Sequence, residues 1–173
     1  MISFDNTEIA FAGKSDNDLQ WTYRLFNMIG KPWMVKFGKF VTNIAFAIRL
    51  PIKGMIKKTI FKHFCGGEAI PDCTGRIDEL AKFGIGTILD YSVEGKSEDA
   101  DLDRTRDEII ASIATGKAND HIPFAVFKVT GIARTELLEK ANNPNTTLTD
   151  QEKNDFAAVM ARVDAICNAA HES

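Results

Sequence analysis

The chain has 173 residues, 21 Lys+Arg against 24 Asp+Glu, a formal net charge of −3 and 45% hydrophobic residues. That is ordinary globular composition for one domain, and it excludes a disordered tail, a collagen-like chain and a disulfide scaffold. The near-neutral balance also argues against a dedicated nucleic-acid binder, which usually carries a strong basic excess.

The charge is unevenly placed. From Leu19 to Gly67 there is no acidic residue, while nine basic ones occur: Arg24, Lys31, Lys36, Lys39, Arg49, Lys53, Lys57, Lys58 and Lys62. Such a division speaks about partners rather than about fold. Met1-Ile2-Ser3-Phe4-Asp5 offers neither a basic n-region nor an apolar h-region, so no signal peptide is expected. Cys65, Cys73 and Cys167 are odd in number and lack zinc-ligand spacing. They read as three free thiols of a reducing compartment.

In chain order, the first third predicts helices. Asp18 is placed to cap a helix over 19–29 that Gly30 ends, and Pro32 fits the first turn of a second helix running to about Leu50. Lys36 and Lys39 interrupt its apolar run, which is too short for the roughly 20 apolar residues of a membrane span. A third short helix is expected over 54–64, a break at Cys65-Gly66-Gly67, and a helix over 71–83 closed by Gly84. This helical arm, residues 1–83, has two readings. One is a solvated surface whose apolar face packs on the domain. The other is a peripheral membrane patch, since lysines beside Trp and Phe suit an anionic bilayer.

Residues 84–173 follow a different pattern. Ile85 to Tyr91 predicts a buried strand, 97–115 a helix, and Ile122 to Thr130 a second strand apolar enough for burial on both faces. A short helix is expected over 134–140. The last helix opens at Thr149-Asp150-Gln151-Glu152, a capping box, with Leu148 as its staple, and runs to about Ala170. The order strand, helix, strand makes a βαβ unit, and repeated units make a doubly wound sheet or a barrel. Two parallel strands cannot close a sheet, so the chain is expected to be the opening part of a larger α/β protein.

In such architectures functional groups gather at the carboxyl ends of the strands. Asp90 and Glu94 follow the first strand, and Lys128 is embedded near the end of the second. An ammonium in an apolar strand needs a partner, and Asp90 and Glu94 are placed to supply one. The same residues also read as a structural ion pair, or Lys128 as a snorkelling side chain. Gly84-x-Gly86 precedes a strand instead of following one, so it is no dinucleotide fingerprint. His63, His121 and His171 are scattered.

Three stretches in order resemble the monofunctional proline dehydrogenases of the bacterial and mitochondrial type. They are Phe64-Cys65-Gly66-Gly67-Glu68, Thr87-Ile88-Leu89-Asp90-Tyr91-Ser92-Val93-Glu94 and Ile122-Pro123-Phe124-Ala125-Val126-Phe127-Lys128-Val129-Thr130; the stretch from Thr7 to Ser15 is also similar to the start of bacterial members. The resemblance implies a distorted (β/α)8 TIM-like barrel, incomplete in this chain, that binds FAD non-covalently. It implies oxidation of L-proline to 1-pyrroline-5-carboxylate with electrons passed to a membrane quinone. By the same resemblance Lys128 lies near the flavin and the substrate carboxylate, Asp90 shapes the pocket, and Glu94 pairs with an arginine that closes over substrate. The family's later strands and its substrate-clamping arginines have no counterpart here. The chain is therefore expected to be an N-terminal portion, inactive alone, cytoplasmic or peripheral to the inner face of the membrane, and prone to self-association through exposed strand edges. Two other readings stay open: a stand-alone binding or regulatory fragment, and a barrel enzyme using Lys128 as a Schiff-base amine.

Overall fold

The computed structural model describes residues 5–91 and 93–172. Met1 to Phe4 of the N-terminal reading, Ser92 of the second resemblance block and Ser173 lie outside the described residues. The chain divides into two units, Met1–Glu79 and Leu80–Ser173.

The first unit is helical: α1 (Thr7–Ala10), α2 (Asp16–Ile29), α3 (Pro32–Ala47), α4 (Lys53–Ile56), a π-helical turn (Lys57–Phe61), α5 (Lys62–Phe64) and most of α6 (Ile70–Ala81). Ser15, not Asp18, caps α2. Its hydroxyl accepts from the Asp18 N–H at 3.2 Å, while the Asp18 carboxylate accepts from that hydroxyl at 2.6 Å. That hydrogen bond holds the Asp18 carboxyl below the usual carboxylate range. Pro32 does occupy the first turn of α3. This helix stops at Ala47, short of Leu50, because Arg49 takes a left-handed φ of 56° ahead of Pro51. The Cys65-Gly66-Gly67 break is a tight turn: a Cβ on Gly67 would lie 2.5 Å from the Asp72 Cβ. Among the described residues no helix is long and apolar enough to cross a membrane.

The second unit carries the βαβ element. β1 (Ile88–Leu89) pairs parallel with β2 (Phe124–Ala125), in the register Ile88 to Phe124 and Leu89 to Ala125. Between them runs α7 (Asp99–Lys117); after them come α8 (Val129–Ile132), α9 (Thr135–Asn142) and α10 (Asp150–His171). Ile109 and Ile113 of α7, Ile132 of α8 and Ile166 of α10 form the central core, flanked by Phe127 and Val163. A second cluster joins Ala133, Leu137 and Val159, with Leu148 and Phe156 packed against it. The capping box of α10 forms as the sequence predicts, with Thr149 and Glu152 exchanging both bonds.

The strands are far shorter than the apolar runs suggest. The stretch after β2 turns into α8 at Val129, and both residues of β2 are exposed instead of buried on two faces. The physical reason is that, among the described residues, no further layer packs on the pair. Each strand has one neighbour among the described residues, so no ladder extends the pairing and nothing covers Phe124.

Candidate functional site

The parallel register sets the site. β1 and β2 run side by side, so the segments leaving their carboxyl ends emerge together. Asp90 follows Leu89 directly. Glu94 comes from the loop that turns at Gly95, whose φ of 71° is in the left-handed region open to glycine. Lys128 is the extended residue that enters α8, with φ −111° and ψ 132°. Its ammonium lies 3.4 Å from a carboxylate oxygen of Asp90 and 3.5 Å from one of Glu94. The three residues singled out in the sequence thus meet at one point.

The cluster is more open than a lysine within an apolar strand suggests. The Lys128 side chain is 49% exposed, Asp90 35% and Glu94 53%. The strand ends before Lys128, and the unpartnered edge leaves it facing water. The hydrogen bond to Asp90, and then the charges of Asp90 and Glu94, hold the Lys128 ammonium above the usual lysine range. A lysine held charged is a poor nucleophile, which weighs against a Schiff-base role. What the cluster offers instead is one fixed cation beside two carboxylates. That arrangement matches a zwitterion, whose carboxylate seeks the cation and whose ammonium seeks an anion.

Backbone packing holds the two segments in register. Gly131 lets α8 approach the first loop closely: a Cβ there would stand 3.0 Å from the Val93 carbonyl oxygen and 3.5 Å from the Thr105 methyl. Behind α8, the Arg162 side chain, 5% exposed, reaches from α10 to the start of α7. Its Nε donates to Asp103 at 2.8 Å, one terminal nitrogen to Asp99 at 2.9 Å, and the other to the Ile132 carbonyl at 3.4 Å. Burial opposes the charge of Arg162, but the bonds to Asp103 and Asp99 outweigh it and raise its pKa. Sequence reasoning missed this residue. Its signal was an arginine inside the buried register Val159, Arg162, Val163, Ile166 of an amphipathic helix.

Other polar links are local to the last helices. Lys140 donates to both Glu152 oxygens at 2.7 Å, and Arg134 pairs with Asp155. The Lys140 bond, joined by the Thr149 N–H, holds the Glu152 carboxyl down at about 2. A cleft of about 820 Å³ lies in the first unit between Lys14, Trp21, Lys58 and Lys62, and none of the three predicted site residues lines it. The described residues include no cluster of His, Cys, Asp and Glu that could hold a metal ion, and Cys65, Cys73 and Cys167 are unpaired thiols.

Lys128 also bears on the flavin that the resemblance implies. A cation with half its side chain open, followed by the exposed Val129, fits one contact of a planar electron-accepting ring with anionic character. The fit is that of one contact, not of an enclosure.

No family model matches the chain, and no solved structure matches it. Curated proteins do. Over 142 residues the chain is 30% identical to the mitochondrial proline dehydrogenase 1 of Dictyostelium discoideum, covering 79% of this chain and 24% of that protein. Over 95 residues it is 30% identical to the mitochondrial proline dehydrogenase 1 of Caenorhabditis elegans, covering 54% of this chain and 15% of that one. Over 76 residues it is 28% identical to the carbapenem antibiotics biosynthesis protein CarD of Pectobacterium carotovorum subsp. carotovorum, covering 44% and 20%. The chain therefore spans about a quarter or less of the length of the curated relatives it matches. With the Asp90, Glu94 and Lys128 blocks in order along it, the chain is a homologue of the proline dehydrogenases.

Proposed function

We propose that this chain supplies the first two βα units of a (β/α)8 barrel that oxidises L-proline to 1-pyrroline-5-carboxylate. One observation carries the reading: parallel pairing of β1 and β2 brings Lys128 within 3.4 and 3.5 Å of Asp90 and Glu94, in a chain homologous to proline dehydrogenases. FAD, when bound, would supply the redox chemistry, taking up the hydride with its two electrons for later transfer to a quinone. Lys128 is the residue here that would contact it. The chain's own part is placement. Lys128 offers its charge to the substrate carboxylate, and Asp90 lines the pocket wall beside it. Glu94 neutralises part of the Lys128 charge and stays open to a second cation, as its exposure allows. The chain on its own supplies one wall of the pocket, so it is inactive alone. Placement in the cytoplasm belongs to the same proposal.

The test is a hybrid in which this chain replaces the matching segment of the Dictyostelium enzyme. The hybrid is expected to retain flavin and to bleach on addition of L-proline. Lys128→Ala in that hybrid is expected to keep the flavin and to slow bleaching by at least about tenfold, the loss of roughly one charge-assisted contact. A flavin-loaded Lys128→Ala hybrid that bleaches at the parent rate overturns the assignment. The isolated chain mixed with FAD is expected to retain none through gel filtration.

A further inference from the structure

The cleft of about 820 Å³ in the first unit is built from residues that the catalytic reading does not use. Its volume falls within the roughly 300–1,000 Å³ of small-molecule sites. Asp18, Trp21 and Thr22 share one face of α2, at spacings of three and four residues, and line the cleft. Lys58, Phe61 and Lys62 line it from the π-helical turn and the start of α5. A π-helical turn inserted in a helix is a rare form that occurs frequently at functional sites. The Cys65-Gly66-Gly67 turn, which the catalytic reading leaves without a role, borders the same space.

The charged groups of the lining divide into engaged and open ones. Lys57 donates to Glu68 at 2.7 Å, and Arg76 pairs with Glu79. The Asp18 carboxylate accepts from the Ser15 hydroxyl at 2.6 Å, and that of Asp72 accepts from the Glu68 N–H at 3.3 Å. Every acid of the lining is therefore engaged. The ammonium groups of Lys14, Lys58 and Lys62 make no hydrogen bond or ion pair among the described residues. The Ser15 bond chiefly holds the Asp18 carboxyl low, and the charges of Lys62 and Lys14 add to it, so both cations stand near that one carboxylate. The Gly66 and Gly67 N–H groups also donate to no acceptor among the described residues. Three open cations and two open amide donors around one cavity suit a ligand with several negative charges and acceptor oxygens, which is phosphate chemistry. Trp21, 37% exposed, and the half-buried Phe61 add aromatic surface on which a flat heterocycle stacks. A nucleoside phosphate joins both features in one small molecule.

We propose that this cleft binds a nucleoside polyphosphate, with its phosphates on Lys14, Lys58 and Lys62 and its base against Trp21. This goes beyond the catalytic reading and does not depend on it. The chain has two tryptophans, Trp21 and Trp33, so Trp33→Phe in the full chain leaves Trp21 as the sole reporter. ATP titrated into that protein without divalent cations is expected to quench the Trp21 emission to saturation. Adenosine, which lacks the phosphates, and tripolyphosphate, which lacks the base, are each expected to bind at least about tenfold more weakly in calorimetry. Lys58→Gln with Lys62→Gln is expected to weaken ATP binding by at least about tenfold. Both side chains are exposed, and an unchanged helical circular dichroism signal verifies the fold. If that variant unfolds, Lys14→Gln carries the test, with a weakening in the same direction. Lys36→Gln with Lys39→Gln removes the same charge outside the cleft lining and is expected to bind ATP like the parent. Absence of saturable quenching would overturn the proposal. So would tripolyphosphate that binds as tightly as ATP, because the site would then hold polyanions without reading a base. Equal weakening by the two lysine pairs would also overturn it, because the attraction would then belong to the basic stretch as a whole and not to the cleft.

Discussion

Arg162 allows the sharpest test of how the second unit is held together. Its guanidinium is 5% exposed, whereas its partners Asp99 and Asp103 are 65% and 45% exposed. The two sides of this network should therefore not be equivalent. Arg162→Met removes a buried charge and keeps an apolar stem of similar length. The two carboxylates turn to water, and the main loss is the 3.4 Å bond to the buried Ile132 carbonyl. That substitution should cost about 1–2 kcal/mol, one modest hydrogen bond plus imperfect packing. Replacing Asp99 and Asp103 together by Ala does the opposite. It leaves a buried guanidinium with a single long bond, for which the expected cost is about 3–5 kcal/mol. Loss of Asp99 from the first turn of α7 adds about 0.3–1 kcal/mol through the helix dipole. Urea unfolding followed by helical circular dichroism separates the two cases. An Arg162→Met protein less stable than the double Asp variant would refute the reasoning, because the ion network would then stabilise by attraction rather than merely neutralise a buried charge.

Three further outcomes follow from the geometry. Glu152, held at about 2 against a model-peptide value of 4.5, contributes stability that is complete above 4.5 and fades as pH falls toward 2. Lys140→Gln should flatten that acid limb of the stability profile, and an unchanged limb would contradict the pairing. Thr149→Ala should independently cost about 1 kcal/mol through loss of the cap. Gly131→Ala sets a methyl 3.0 Å from the Val93 carbonyl oxygen and should destabilise by about 1–3 kcal/mol in thermal unfolding; a neutral result would mean the loop yields freely. The raised Lys128 pKa means that its stabilising contribution is intact below the ordinary lysine range and disappears as pH rises through the higher folded value. Its Cε–Hε NMR titration should move to lower pH in Asp90→Asn, and a midpoint that stays put would remove Asp90 as the main partner.

The helices were legible because their signals are local. The Thr149 to Glu152 capping box, Pro32 at a first turn and the apolar period of α7 each act within one or two turns, so the linear sequence contains their cause. Asp18 was mistaken for a cap because Ser15, three residues earlier, offers the same chemistry. The π-helical turn at Lys57–Phe61 had no sequence signal beyond an apolar helix with a lysine pair.

The convergence of Asp90, Glu94 and Lys128 was legible for a different reason. Strand ends in a parallel pair converge, so naming Asp90, Glu94 and Lys128 needed only the strand order and the resemblance. The exposure of the cluster was not legible. A run such as Ile122 to Thr130 shows only its hydrophobicity, while strand length and burial are set by neighbours far away in sequence. Arg162 escaped for the same reason: what makes a buried arginine tolerable is Asp99 and Asp103 on another helix. The sequence by itself determined the helices, the order of the βαβ unit and the concentration of cations between Leu19 and Gly67. Only the tertiary structure decided that β1 and β2 pair for two residues each and that Lys128 stands half open between two carboxylates. Local order follows from bonds within a few residues, whereas burial and charge pairing depend on which surfaces meet.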